Sequence, residues 1–382
     1  MAAPIKKLTI RGFKSIRALE DFELRPLNIL IGANGAGKSN FVDFFTMLRE
    51  MVEQRLQDYV RTHGGADAHL FLGPKVTQEI VGEFRFPPNS YGFTLKRTVR
   101  NELFFAGEWT GFKAVFGDIG PTLGSGHLEA KLKDRKDSPG RTAKHGVEYH
   151  VHNAVSSWTV YHFHDTSDTA AVRGEGSARN HERLLEDGGN LAAFLLNLRD
   201  AKSPAPGIQL RNASPAPYEL IRDTVRLVAP FFDDFKLRPK SNGSDEVVLL
   251  EWTQKGSDYP FHPSQLSDGT LRFICMATAL LQPQPPATML FDEPELGLHP
   301  YALNVLAGLL KQAATRTQVI VSTQSAPLLD YFEPEDVIVV DRQDGASGFR
   351  RLDKTQLAEW LDQYSLGELW QKNVFEGGPA HE

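Results

Sequence analysis

Residues 5–10, Ile-Lys-Lys-Leu-Thr-Ile, alternate apolar and polar positions, the period of a strand. Leu27 to Ile31 is a continuous apolar run that stops at Gly32, which predicts a buried strand feeding a glycine turn. From Ser39 the period lengthens. Phe41, Phe44, Phe45 and Leu48 fall on one face of a helix. Alternation returns at 79–86 and 91–99 and predicts a meander of antiparallel strands. Residues 117–146 are rich in Gly, Lys, Arg, Asp and Ser and read as a long loop, 147–163 as strand again, and 166–182 as a second polar loop. An amphipathic helix is predicted over 184–199 through Leu191, Phe194, Leu195 and Leu198. A proline-rich linker at 203–217 and a helix at 218–229 follow. The last third alternates strands (246–252, 287–291, 317–321, 336–340) with helices (268–281, 300–314, 325–331). That rhythm predicts a mostly parallel sheet flanked by helices. There is no short-period repeat, and no sustained heptad run that would build a long coiled coil.

Composition narrows the class. The chain has 382 residues, 41% hydrophobic and 24% charged, as in a globular protein. Its longest strongly apolar run, Ile274 to Leu281, is too short to span a bilayer, and the first residues lack the apolar core of a signal peptide. Cys275 is the single cysteine, so an internal disulfide and a four-cysteine metal site are excluded. A cytoplasmic protein is the expectation. The net charge of −6 argues against DNA binding by the whole surface and leaves a local basic patch open.

Two segments carry chemistry. Gly32-Ala-Asn-Gly-Ala-Gly-Lys-Ser39 fits G-x-x-x-x-G-K-[ST], with a strand before it and a helix after it. The glycines let backbone N–H groups curl around phosphate oxygens. Lys38 supplies a point charge to the β- and γ-phosphates, Ser39 a hydroxyl ligand for Mg²⁺, and the helix start a favourable dipole. Asn34, Gly35, Ala36, Gly37 and Asn40 complete the expected ATP-binding set. The apolar run 287–291 ends in Asp292-Glu293-Pro294. Asp292 is placed to hold the metal through water, and Glu293 to orient and deprotonate the attacking water.

The order of motifs is informative. The phosphate loop is followed by Leu266-Ser-Asp-Gly-Thr270 at a helix start, then by the acidic pair, then by a strand ending in Ser322-Thr-Gln324. This resembles the ABC-type ATPase heads. Leu8-Thr-Ile-Arg-Gly-Phe-Lys-Ser15 followed by Pro26-Leu-Asn-Ile-Leu-Ile-Gly-Ala-Asn-Gly-Ala-Gly-Lys-Ser-Asn40 is similar to the SMC/RecF group rather than the transporter group. Asp292-Glu-Pro-Glu-Leu-Gly-Leu-His-Pro300, Tyr161-His-Phe-His-Asp-Thr166 and Ser322-Thr-Gln-Ser-Ala-Pro327 resemble its small, coiled-coil-poor branch, with links to DNA repair and anti-phage defence. The resemblance implies an α/β head with an antiparallel strand lobe, a mostly parallel sheet flanked by helices, and a short helical and loop insertion in place of a coiled coil. One composite ATPase domain would divide into 1–165 with the phosphate loop, 166–240 as insertion and linker, and 241–382 with the signature helix, acidic strand and switch strand.

It also implies a head-to-tail homodimer. Ser267 and the Gly269 N–H of one copy would complete the γ-phosphate cage of the other, and the turn Glu295 to His299 would cross to the partner site. Two positions depart from the ABC pattern. Asp268 replaces the first glycine of Ser-Gly-Gly, and a carboxylate there must point away from phosphate or serve as a helix-start charge. Gln324 stands where many relatives carry histidine; it can hydrogen-bond the γ-phosphate or water but takes no proton.

Other residues carry weaker signals. Gln78 is one candidate for the glutamine loop. His162 and His164 share a strand face beside Asp165, but no Cys or third His completes a metal set. Arg11 and Lys14 lie in a region that flanks the base in the family, or on a solvated edge. Lys131, Lys133, Arg135, Lys136, Arg141 and Lys144 make a basic segment that could touch phosphates or remain solvated. The expected function is an ATPase that regulates or powers a DNA-directed process or a separate effector protein. The alternatives are an ATPase acting directly on DNA, a single-chain nuclease, for which too few residues follow 336–340, and a transporter subunit.

Overall fold

The computed structural model describes residues 3–114, 117–119, 122–136, 146–201, 216–243 and 245–375. Arg141, Lys144 and nearly all of the proline-rich stretch lie outside these. The chain forms two compact units. The first comprises Met1–Val160, Pro286–Glu293 and Thr317–Glu382, and the second Tyr161–Pro285 and Pro294–Arg316.

The first unit holds two sheets. The seven-stranded antiparallel sheet runs in the order Ile16–Glu23, Lys7–Phe13, Glu79–Phe86, Asn89–Arg97, Leu103–Ala114 and Gly117–Ile119, with Thr122–Gly124 also paired to Leu103–Ala114. The six-stranded sheet runs Ala346–Arg351, Val337–Gln343, Leu27–Ile31, Gln318–Thr323, Thr288–Asp292 and Trp158–Tyr161. Its four middle strands, from Val337–Gln343 to Thr288–Asp292, are mutually parallel. Every residue of Leu27–Ile31 is buried, as expected of a parallel strand covered on both faces. Asn28 is the polar exception. Its side chain donates to the carbonyls of Arg25 and Val319 and accepts from Arg351.

The helix Lys38–Val52 buries Phe41, Phe44, Phe45 and Leu48, the stripe read from its sequence, and also Met47 and Met51. The Phe44 ring packs on Phe13, Phe84 and Phe93 at centroid separations of 5.1, 6.0 and 6.2 Å. One aromatic core thus joins helix and antiparallel sheet.

The second unit gathers the helices Leu191–Asp200, Pro217–Val228, Asp268–Leu281 and Pro300–Ala314 with two small sheets. From Leu271 onward every residue of Asp268–Leu281 is buried. Of these helices, Leu191–Asp200 and Pro217–Val228 fall within 166–240, the stretch expected to hold insertion and linker.

Four readings need correction. Residues 147–163 are not one strand. Val147–Val155 is a helix that buries Val151, Ala154 and Val155, and only Trp158–Tyr161 is extended. The valines at 147, 151 and 155 fit a helical period as well as a strand. The helix predicted from 184 begins at Leu191, because Asp187-Gly-Gly-Asn190 forms a turn in which Asn190 bonds Leu185, Asn180 and Arg183. The stretch 246–252 is broken into Asp245–Val248 and Glu251–Gln254 on different sheets. The loop at 117–146 contains short strands and the helical turn Leu132–Arg135.

Phe44 is fully buried among four aromatic rings. Phe44→Ala should therefore destabilise the fold by about 3–5 kcal/mol. Urea unfolding followed by fluorescence checks this, and an unchanged midpoint would mean that the helix is not anchored by this core.

Candidate functional site

Two glycines of the phosphate loop, Gly32 and Gly37, approach their neighbours too closely for a side chain. A Cβ on Gly32 would lie 2.2 Å from the Val340 carbonyl oxygen, and one on Gly37 2.0 Å from Ser347 Oγ. Gly37 is also the N-cap residue of Lys38–Val52, with φ of 113°, a left-handed conformation suited to glycine. No side chain caps this helix, and its first turn carries no acidic residue. Its first N–H groups and positive dipole end are therefore left for an anion. Lys38 is buried, and its Nζ donates to the carbonyls of Gly32 at 2.7 Å and Ala33 at 3.2 Å. Ser39 is exposed at the mouth.

A buried hydroxyl pair braces the loop from behind. Ser15 and Ser347 are hydrogen-bonded at 2.6 Å, Ser347 Oγ donates to the Ala36 carbonyl at 2.6 Å, and Asn40 Nδ2 donates to Ser15 at 2.7 Å. Arg342 reaches the Gly35 carbonyl at 3.2 Å. Ser347 and Arg342 were not singled out from the sequence, since nothing local marks residues more than 300 positions from the loop they touch.

The acidic pair and switch glutamine lie in the same unit. Asp292 stands opposite Ser322 in the parallel ladder, and Thr323 stands opposite Ile31. Leu290 and Ile320, two residues earlier on each strand, pack in the core with the helix Lys38–Val52. Strand alternation carries Asp292 and Ser322 to that face. The Asp292 Oδ1 atom is buried without a hydrogen-bond partner, an oxygen suited to a hydrated Mg²⁺. Glu293 has φ of 41°, rare outside glycine, and its N–H is bonded to the Ser322 carbonyl at 2.7 Å. Gln324 Nε2 donates to Glu293 Oε1. Gln324 thus touches Glu293 directly.

Ser267 and Gly269 lie in the second unit. Ser267 caps the helix Asp268–Leu281 and accepts from the Thr270 N–H at 3.2 Å. Asp268 is bonded at 2.7 Å to Arg173, whose side chain is 5% exposed and also donates to the carbonyls of Thr166, Pro263 and Leu266. The departure from Ser-Gly-Gly therefore has its own counter-charge. A Cβ on Gly269 would lie 2.3 Å from the Gly297 carbonyl oxygen. Arg272 donates to the carbonyls of Phe163 at 2.9 Å, His164 at 3.0 Å and Leu296. The signature start and the turn Glu295 to His299 are fastened together within this unit. An arginine inside an otherwise apolar helix was the available signal for Arg272.

The remaining candidates are placed as follows. Arg11 pairs with Glu20 across an exposed edge, and Lys14 bonds Asp43 of the phosphate-loop helix at 2.7 Å. Gln78 is exposed and bonds the Pro74 carbonyl of its own loop. The His162 and His164 rings lie 6.5 Å apart. Burial pushes the Cys275 thiol up to about 12, as expected of a core cysteine.

A family model described as "AAA domain, putative AbiEii toxin, Type IV TA system" matches residues 27–330. Structural maintenance of chromosomes protein 3 of Arabidopsis thaliana is 32% identical over 108 residues, which cover 25% of this chain and 8% of that protein. The chain thus matches under a tenth of that relative's length. Among solved structures, an SmcHead bound to the C-winged helix domain of ScpA aligns with a TM-score of 0.59 at 13% identity, over 93% of this chain and 99% of the other. A Pyrococcus furiosus Smc head domain with an extended coiled coil, bound to the C-terminal domain of ScpA, aligns with a TM-score of 0.54 at 14% identity, over 94% and 99%. The fold is that of SMC heads.

Ser347→Ala removes the hydroxyl that Ser15 and Ala36 share. It should cost about 1–3 kcal/mol and speed amide exchange at Ala36 to Ser39. Unchanged exchange there would show that the loop holds its shape without this brace.

Proposed function

The chain belongs to this AAA-domain family as an SMC-like ABC ATPase head, and on that premise we propose that it binds and hydrolyses ATP with Mg²⁺ as a head-to-tail dimer that controls a partner effector. The observation that carries the reading is the juxtaposition in one unit of an uncapped phosphate-loop helix, buried Lys38, Asp292 with its Oδ1 unpartnered, and Glu293 held against Gln324.

In this reading the N–H groups of Asn34 to Asn40 cradle the phosphates, and Lys38 leaves the Gly32 and Ala33 carbonyls for the β- and γ-phosphates. Ser39 and Asp292 hold the metal, which when bound neutralises charge on the transferred phosphoryl group. Glu293 accepts the proton of the attacking water, and Gln324 orients that water and the acid. The strained φ at Glu293 supports a functional placement, since such backbone costs on the order of 1–3 kcal/mol and persists where a site needs it.

Ser267 and Gly269 act on the nucleotide of a second copy. Leu296 and Tyr301, 49% and 54% exposed on and just after the crossing turn, supply apolar surface for that contact. ATP thereby favours the closed dimer through differential affinity. The family description, which names a putative toxin of a type IV toxin–antitoxin system, supports a defence setting, and in our reading the regulated partner is a separate effector. The second reading is an ATPase acting directly on DNA, favoured by the likeness to a chromosome-maintenance protein. Among the described residues, no helix is long and apolar enough to cross a membrane.

Lys38→Ala should weaken ATP binding about 10–100-fold, the equivalent of one charge-assisted contact. Unchanged affinity by calorimetry would remove the central claim. Glu293→Gln should lower turnover about 10²–10⁴-fold and trap an ATP-bound dimer visible by light scattering. Normal turnover would show that another base operates. Ser267→Arg should abolish that dimer while sparing ATP binding by the single copy; a persistent dimer would refute the trans role.

A further inference from the structure

Two buried oxygens on adjacent strands have no hydrogen-bond partner, Asp292 Oδ1 and Ser322 Oγ. Ser322 is 1% exposed. It lies at the centre of the parallel sheet, opposite Asp292 on one side and Leu30 on the other. Its face is that of Ile320 and Leu290, turned toward the helix that begins at Lys38.

A serine hydroxyl offers one donor and two acceptor positions, and buried hydroxyls are normally satisfied. The polar side chains around it follow that rule. Gln318, on the same strand, bonds Ile5 and Thr288, and Thr323 Oγ1 accepts from the Ser325 N–H. An alanine would fill the Ser322 position without leaving a polar atom unsatisfied. The hydroxyl is therefore unexplained by packing and stands beside a carboxylate oxygen in the same condition.

We propose that Ser322 is a positioning residue for the hydrated metal. Its hydroxyl accepts a hydrogen bond from one metal-bound water while Asp292 Oδ1 accepts from another. The inference rests on the reading of Asp292 given above. Mg²⁺ gives up its waters reluctantly and is held largely through them, so a second acceptor beside the acid fixes the shell where a lone carboxylate would let it turn.

The test is a titration of the full chain with a fluorescent ATP analogue, in EDTA and at a series of Mg²⁺ concentrations, with a melting curve of the nucleotide-free protein. Ser322→Ala should raise the Mg²⁺ concentration for half-maximal tightening by about tenfold or more. It should leave affinity in EDTA unchanged and the melting temperature equal or higher. Ser322→Thr, which keeps the hydroxyl, should retain the original Mg²⁺ dependence. If Asp292→Asn shifts the Mg²⁺ curve and Ser322→Ala does not, the inference about Ser322 fails and the reading of Asp292 stands. If neither shifts it, the reading of Asp292 fails and takes the inference with it. A loss in EDTA equal to that in Mg²⁺, or a lower melting temperature for Ser322→Ala, would assign the hydroxyl a structural role and overturn the proposal.

Discussion

The parallel register of Leu27–Ile31, Gln318–Thr323 and Thr288–Asp292 is the constraint on which the candidate site depends. It sets Ile31 beside Thr323 and Ser322 beside Asp292, so the strands carrying the phosphate loop, the switch glutamine and the acidic pair finish at one end of the sheet. Side chains alternate along a strand, so a slip of one residue would turn Asp292 away from the helix Lys38–Val52. Leu27–Ile31 and Gln318–Thr323 are buried throughout, and Asn28 and Gln318 fix their places by side-chain hydrogen bonds to Arg25, Val319, Ile5 and Thr288.

The second unit solves a different problem. Ser267 and Gly269 begin a helix whose orientation must be fixed although Ser267 and Asp268 are exposed and Gly269 and Thr270 half-buried. Bulky side chains could not do this without covering Ser267 and Gly269. The fixing is done from behind, by backbone approach of Gly269 to Gly297 and by two arginines, Arg173 and Arg272, that bond several carbonyls each. Carbonyl oxygens are acceptors everywhere along a chain, so such anchoring leaves almost no trace in residue pattern.

That contrast explains how much was legible in the sequence. The phosphate loop, the acidic pair and the capped signature start are local motifs, and their flanking elements appear where the hydrophobic periods place them. The helix Asp268–Leu281 and the helix Pro300–Ala314 match to the residue. Val147–Val155 was misread because valines four apart serve a helix face and a strand equally. Asp268 looked like a liability because its partner, Arg173, lies 95 positions away. Ser347 was silent for the same reason, and Ser322, though part of a motif, had no role of its own until the folded sheet set it opposite Asp292.

The pairing of Asn28 with Val319 has a consequence for how the molecule comes into being. These hydrogen-bonded neighbours are 291 positions apart. At ribosomal rates of about 5–20 residues per second, the phosphate-loop strand waits roughly 15–60 s for the strand that flanks it. The hydroxyl that braces Ala36 arrives later still, with Ser347. A nascent chain would thus carry the whole nucleotide motif without the sheet that shapes it. The shape that holds the nucleotide motif is in this sense acquired some time after the motif itself has been made, because its bracing partners lie about 300 positions further on.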